Sequence, residues 1–339
     1  MLIRSKAPLR LGLAGGGTDV YPYSDLYGGG ILNATINLYA YATIIPANNG
    51  KIIFETADGS IIKEFNSVDF IIPEGIFDIH AGIYNRIAKL FPEKQLSFRL
   101  ITSLDAPQQS GLGTSSTLAV AILGAFVEWF KLPLGEYDIA QMAYEIERSD
   151  LGMAGGKQDQ YSATFGGINF MEFYKDKVIV NPLRIKDSYL DELTHNLVLY
   201  YTDTSRLSSQ IIQQQQQNVI KEDLAAIEAM HQLKKQAVMM KEALLKGNLD
   251  EIGKILDFGW KFKKQMATGI TNKSLDTIYA TALQNGATGG KISGAGGGGY
   301  MFFYCPGNTR YRVIESLKQF GGYTERYEFT ASGLVSWTL

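Results

Sequence analysis

The sequence predicts an α+β protein of two domains, and three observations carry that prediction. A length of 339 residues corresponds to about two domains at roughly 150 residues each. The second half reads strand, helices, two strands, helix, strand, a split β-α-β order of ferredoxin-like type that sets a boundary near residue 180 and domains at 1–180 and 181–339. Glycine is in excess, 36 of 339 residues or about 11% against a usual ~7%. Twenty of the glycines fall in seven clusters, at 15–17, 28–30, 111/113, 152/155/156, 166/167, 289/290 and 294/296–299. That is the chemistry of loops.

In the first half, Lys51 to Phe54 and Ile61 to Phe65 alternate as strands around Asp58-Gly59, a hairpin signal. Leu96, Phe98, Leu100, Thr102 and Leu104 repeat every second residue and give a half-buried strand that runs into the loop 107–117. Leu118 to Phe130 is apolar almost all round, which predicts a buried helix with Ser115, Ser116 and Thr117 as cap candidates. Ile139, Met142, Ala143 and Ile146 set a second helix from about Glu136 to Ser149, with a glycine-rich exit.

The second half opens on the strand Leu197 to Tyr201. Gln213 to Gln217 reads as the polar face of a helix, and Ala226, Met230, Leu233, Ala237, Met240 and Leu244 mark a long helix stopped by Gly247-Asn248. A strand at Lys291 to Ser293, a turn at Gly294 to Gly299, a strand at Tyr300 to Tyr304, a helix around Tyr311 to Phe320 and final strands near Thr324 to Thr338 follow.

Composition excludes several classes. Thirty-two Lys plus Arg against 34 Asp plus Glu give a net charge of −2 without long runs, so no nucleic acid is expected as a partner. The single cysteine, Cys305, lies in the apolar run Tyr300 to Cys305 and reads as a buried small hydrophobe compatible with a reducing cytoplasm. Met1 to Pro8 has no apolar core of secretory type. The longest apolar run contains Glu128 and falls short of the ~20 residues of a membrane helix. The expectation is a cytoplasmic protein with no membrane partner, and a homodimer is left open.

Three glycine loops are the places for chemistry. Pro107-Gln-Gln-Ser110-Gly111-Leu112-Gly113-Thr114-Ser115-Ser116 joins a strand to a buried helix. There glycines admit a ligand to the backbone, and consecutive N–H groups with a helix N-terminus attract phosphate. Taken alone such a turn is equally a structural connection, and it lacks the P-loop spacing. The second loop is Pro8-Leu-Arg10-Leu-Gly12-Leu-Ala-Gly15-Gly16-Gly17-Thr18-Asp19, and the third is Lys291-Ile-Ser293-Gly294-Ala-Gly296-Gly297-Gly298-Gly299.

Together, in this order and over nearly the full chain, these loops resemble the motifs of the GHMP kinases, which phosphorylate small molecules such as galactose, homoserine and mevalonate. The resemblance implies a two-domain GHMP kinase fold. Its N-terminal domain would be like domain 2 of ribosomal protein S5, its C-terminal domain ferredoxin-like, and the site would lie between them. It implies ATP as phosphate donor, with Pro107, Ser110, Gly111, Leu112, Gly113, Thr114, Ser115 and Ser116 around the nucleotide.

Phosphoryl transfer needs mostly positioning, a metal ion and cationic stabilisation. By similarity to mevalonate kinase and galactokinase-type members, Ser115 and Glu147 would hold Mg2+, Asp159 would face the acceptor hydroxyl and Arg10 would lie beside it. Read without the family, Glu147 and Arg148 form a solvated helix end and Asp159 is a cap or turn residue. Arg148 is left as structural. Oxygen-only ligation suits magnesium, and no His or Cys cluster competes. Asp is a weak base, so Asp159 would orient the hydroxyl and take its proton late.

The form Gly15-Gly16-Gly17-Thr18-Asp19 departs from the Gly-Glu-His-Thr-Asp of galactokinases. It is similar to that of family members acting on a heptose 7-phosphate, relatives of fucokinase domains. Thr18 and Asp19 would then contact the sugar, with Gly294 and Gly296 forming the shared floor. A phosphorylated sugar needs a distal anion site, for which Arg206, Ser208 and Ser209 are the candidates and Lys157 and Lys261 weaker ones. His80, His195 and His231 read as surface or satisfied core. The expectation is an ATP-dependent kinase for the anomeric hydroxyl of a heptose 7-phosphate. A fucose- or galactose-type 1-kinase is the near alternative, and a non-catalytic sugar and ATP sensor is the distant one.

Overall fold

The computed structural model describes residues 1–68, 70–204 and 208–339. The chain runs β1 (Ile3–Ala14), α1 (Tyr23–Tyr27), β2 (Gly29–Pro46), β3 (Lys51–Thr56), β4 (Ile62–Asn66), α2 (Asp78–Leu90), β5 (Phe98–Leu104), α3 (Thr114–Phe130), α4 (Glu136–Glu145), a π-helical turn (Ile146–Asp150), α5 (Gln158–Phe165), β6 (Ile168–Phe173) and β7 (Val178–Pro182). It continues as α6 (Asp187–Asn196), β8 (Leu197–Tyr201), α7 (Ser208–Ile220), α8 (Leu224–Lys246), α9 (Asp250–Lys263), α10 (Lys273–Gln284), β9 (Gly289–Ile292), β10 (Tyr300–Tyr304), α11 (Arg310–Leu317), β11 (Tyr323–Glu325) and β12 (Val335–Thr338).

The first sheet is built on β2, whose 18 residues outlast any one partner. Residues 32–44 of it pair with β1, Gly29 to Ala34 with β6 and Ala40 to Pro46 with β5. The β3–β4 hairpin forms around Asp58-Gly59 as the alternation predicts, and β3 lies parallel to β5. Over this sheet lies α3, with 12 of its 17 residues buried. A helix apolar on every side has no face for water, and α2, α4 and α5 pack around it.

The second sheet has the order β11-β8-β10-β9, antiparallel throughout, which is the ferredoxin-like arrangement expected. Every residue of β8 and β10 is buried, because both faces are covered. Leu197, Leu199, Tyr300 and Phe302 pack with β1, β2, α8 and α9, whereas Val198, Tyr200, Met301 and Phe303 pack under α10 and α11. The long helix α8 begins where the Asp223 carboxylate accepts the N–H groups of Ala225 and Ala226, and it ends at Gly247 in the left-handed region.

Two findings differ from the periodic reading. The helices α1, α2, α5, α6, α9 and α10 have no counterpart in it. Gly253 and Gly259 weaken the helical signal of α9, yet they let it approach closely, since a Cβ at 259 would lie 1.9 Å from the Gln236 amide on α8. The final strands also divide: β11 belongs to the second sheet, while β12 returns to pair with β1, Ile3 opposite Thr338. Among the described residues, no helix is long and apolar enough to cross a membrane. Cys305 is fully buried.

Candidate active site

The three glycine loops converge on one cavity of about 450 Å³. Its walls carry Arg10 from β1, Asp19 at the end of the loop 8–19, Gly111 and Gly113 to Ser116 of the central loop, Glu147 and Arg148 of the π-helical turn, Asp159 of α5, and Gly294. Contact between the loops is set by backbone. A Cβ on Gly111, at φ +84°, would sit 2.4 Å from the Ser293 carbonyl oxygen, so no other residue lets the central loop meet the third. The Tyr300 N–H donates to the Ser110 carbonyl at 2.9 Å and completes that seam.

At the centre is a charge pair. The Arg10 side chain, 3% exposed, donates from both Nε and Nη2 at 2.8 Å to Asp159 Oδ1, and from Nη1 to the Gly111 carbonyl and to Ser293 Oγ. One guanidinium thus joins all three loops to α5. The fork geometry of Arg fits this task and a lysine would not. Asp19 is also buried and accepts the Gln158 N–H at 3.0 Å. Burial raises its pKa above the usual carboxylate value. The Gln158 N–H opposes that rise, and the nearby Asp159 charge adds to it.

Glu147 sits on the wide π-helical turn that ends α4, where an extra residue per turn rotates it inward to 1% exposure. Its Oε1 accepts from Ser116 Oγ at 3.0 Å and its Oε2 from Gln160 Nε2 at 2.5 Å, with Arg148 Nη1 3.7 Å away. Ser115, one residue earlier, is exposed on the same cavity wall. The turn itself is clamped by Arg86 of α2, which holds Glu145 at 3.1 Å and Asp150 at 2.8 Å. No side chain caps α3, and its first-turn N–H groups face the central loop.

The structure therefore brings together Arg10, Asp19, Gly111, Gly113, Thr114, Ser115, Ser116, Glu147, Asp159, Ser208, Ser209 and Gly294. Pro107, Ser110, Leu112, Thr18 and Gly296 do not line the cavity. Leu112 is fully buried in the core between the sheets, and the Thr18 hydroxyl bonds to the Gly15 and Gly30 carbonyls and the Gly30 N–H. Arg206 lies outside the described residues. Lys157 donates to the Tyr174 carbonyl away from the cavity, and Lys261 pairs with Asp257 at the surface. His80 is buried against Thr102 Oγ1, and burial holds its pKa down to about 3.

Profiles of known families match both halves: the GHMP kinase N-terminal domain over residues 79–167 and the GHMP kinase C-terminal domain over 240–322. A D-glycero-alpha-D-manno-heptose 7-phosphate kinase of Campylobacter jejuni is 49% identical, with 99% of each chain covered. The chain belongs to the GHMP kinase family. The crystal structure of a D-glycero-D-manno-heptose 1-phosphate kinase from Bacteroides thetaiotaomicron superposes on this GHMP kinase with a TM-score of 0.84, at 44% identity and 99% coverage of both chains. A Lactococcus lactis galactokinase complexed with galactose shares the fold at 17% identity, with a TM-score of 0.79 over 98% of this chain and 95% of its own.

Sequence reasoning missed cavity residues in this GHMP kinase. Lys263 is the clearest, and its signal was available. Ile252, Ile255, Leu256, Gly259 and Trp260 form the buried stripe of α9, and Lys263 continues it by helical spacing whereas Lys261 does not. Gln215 likewise lies on the buried stripe Ile211, Gln215, Val219 of α7, so the glutamine run is not a wholly polar face.

Proposed function

We propose that this protein is an ATP-dependent kinase that phosphorylates the anomeric hydroxyl of D-glycero-D-manno-heptose 7-phosphate, giving the 1,7-bisphosphate. It would work in the cytoplasm, on the route to nucleotide-activated heptose for bacterial surface polysaccharide. The observation that carries the reading is the Arg10–Asp159 pair facing the cavity beside the uncapped start of α3, in a chain 49% identical to a heptose 7-phosphate kinase.

The triphosphate lies along Gly111 to Ser116, where free N–H groups and the helix dipole meet its charge. A second cavity of about 380 Å³ adjoins this loop at Gln108, lined by Thr56, Phe77, His80, Leu104 and Leu118. Its apolar and aromatic walls suit the adenine ring. Asp159 orients the anomeric hydroxyl and takes its proton as the new P–O bond forms and the bond from the γ-phosphorus to the ADP oxygen breaks. Arg10 holds Asp159 in place and stabilises charge on the transferring group. Asp19 accepts sugar hydroxyls.

The donor set fits Mg2+. Ser115 and Glu147 offer a hydroxyl and a carboxylate on one wall. Oxygen ligands of this kind suit a hard divalent cation. When bound, it would neutralise charge on the phosphates. Ser116 and Gln160 keep the Glu147 carboxylate turned to that wall.

The test is ATP consumption by the purified protein with heptose 7-phosphate, heptose 1-phosphate, unphosphorylated heptose, fucose and galactose. Heptose 7-phosphate should give the highest kcat/KM, and a better neutral sugar or heptose 1-phosphate would overturn the assignment.

A further inference from the structure

One corner of the cavity plays no part in the transfer chemistry. Lys263, the last residue of α9, is 2% exposed, and its Nζ donates to the Gly16 carbonyl at 3.1 Å. Two further ammonium N–H groups remain, and no carboxylate of the described residues lies within 4 Å. Gln215, also 2% exposed, lines the same cavity from α7, and its Nε2 has no hydrogen-bond partner. Ser208 and Ser209 open that helix on the same wall. An orphaned buried donor and an ammonium held only by a carbonyl are each costly, and both costs fall when a ligand brings an anion.

The charges point the same way. Among the described residues, Arg10, Arg148 and Lys263 share the cavity wall with Asp19, Asp159 and Glu147, and the buried Lys291, which donates to the Gly12 carbonyl, lies close to Lys263 and Arg10. Burial pulls Lys263 down to about 8, with Asp19 opposing and Arg10 adding to the fall. Lys291 is held well below the usual lysine value by burial, with Lys263 and Arg10 adding to the fall. Lys263 feels the charge of Asp19, and Asp19 in turn feels Asp159. Asp159, Asp19, Gln215 and Lys263 line one cavity, so a sugar that offers its anomeric hydroxyl to Asp159 shares that space with Lys263 and Gln215.

We infer that Lys263 and Gln215 recognise the distal phosphate of the sugar substrate, and that this corner selects a phosphorylated sugar over a neutral one. The inference rests on the sugar kinase reading above. It replaces surface lysines such as Lys261 with a buried one.

Lys263→Met, Lys263→Arg and Gln215→Glu are compared with the unmodified protein, using heptose 7-phosphate, unphosphorylated heptose and inorganic phosphate as probes. Lys263→Met and Gln215→Glu should each lower the kcat/KM preference for the phosphorylated sugar by about 30-fold or more, mainly through KM, and Lys263→Arg should restore most of it. Inorganic phosphate should compete with the sugar and lose potency in both variants. An equal loss with both sugars, or a loss confined to the KM for ATP, overturns the inference. If thermal unfolding shows that Lys263→Met does not fold, Gln215→Glu decides alone. If the unmodified protein turns over neither sugar, the kinase reading has failed. Calorimetric titration of inorganic phosphate into the protein and Gln215→Glu then decides the anion site by itself, binding to the first only being the supporting result.

Discussion

Among the described residues, Asp159 has one partner of opposite charge, and it has one open side. Arg10 takes Oδ1 through two donors, and the carboxylate remains about a quarter exposed to the cavity, free to meet a hydroxyl. Asp159→Asn keeps the shape and one acceptor but can no longer take a proton. Turnover should fall by about 10³-fold, with the ATP dissociation constant by calorimetry changed less than about threefold. Near-normal turnover would remove Asp159 from the chemistry. Arg10→Lys is the companion test of geometry, because an ammonium cannot reach Asp159, the Gly111 carbonyl and Ser293 at once. We expect kcat lower by about 10²-fold with the fold intact by circular dichroism. Retained kcat would show that only the charge matters.

At the scale of elements, the π-helical turn and the central loop aim these side chains. Arg86 grips the turn at both ends from α2 without touching the cavity. Arg86→Ala should raise the Mg2+ concentration needed for half-maximal rate on the order of tenfold, and saturating Mg2+ should recover most of kcat. An unchanged requirement would mean that the turn holds Glu147 unaided. Gly111→Ala should destabilise the protein by about 3 kcal/mol in urea unfolding, since its Cβ meets the Ser293 carbonyl at a positive φ. The sequence was most legible at this scale. Alternation at Leu96 to Leu104 and the apolar run of α3 announced themselves, and the loops carrying Arg10, Gly111, Ser115 and Gly294 were visible as glycine clusters. The inward rotation of Glu147 was not, because a π turn differs from α-helix by one hydrogen-bond register and leaves the spacing almost unchanged. Nor was the partnership of Ser116 with Glu147 and Gln160, which depends on three segments meeting in space.

For the whole molecule, buried titratable groups set a pH dependence. His80 titrates near 3 in the folded state and near 6.5 when exposed, so between those values the unfolded chain binds more protons. Stability contributed by neutral His80 is therefore present above pH 6.5 and is lost as pH falls toward 3. At about 1.4 kcal/mol per unit, lowering the pH from 6.5 to 4 should cost up to roughly 3 kcal/mol through this residue. His80→Gln should show a correspondingly shallower fall in urea stability over that range, and parallel curves would place the acid sensitivity elsewhere.

The return of residues 335–338 to the edge of β1 bears on how the chain is made. During synthesis, β1 and β2 leave the ribosome early, but the strand that covers the outer edge of β1 is separated from it by more than three hundred residues. Until it arrives, a row of unpaired N–H and C=O groups along Ile3 to Lys6 is open to strands of other nascent chains. Closure of the first sheet thus depends on a contact between segments more than three hundred residues apart. A nascent chain stalled before residue 335 would be a better client for chaperones than the finished protein.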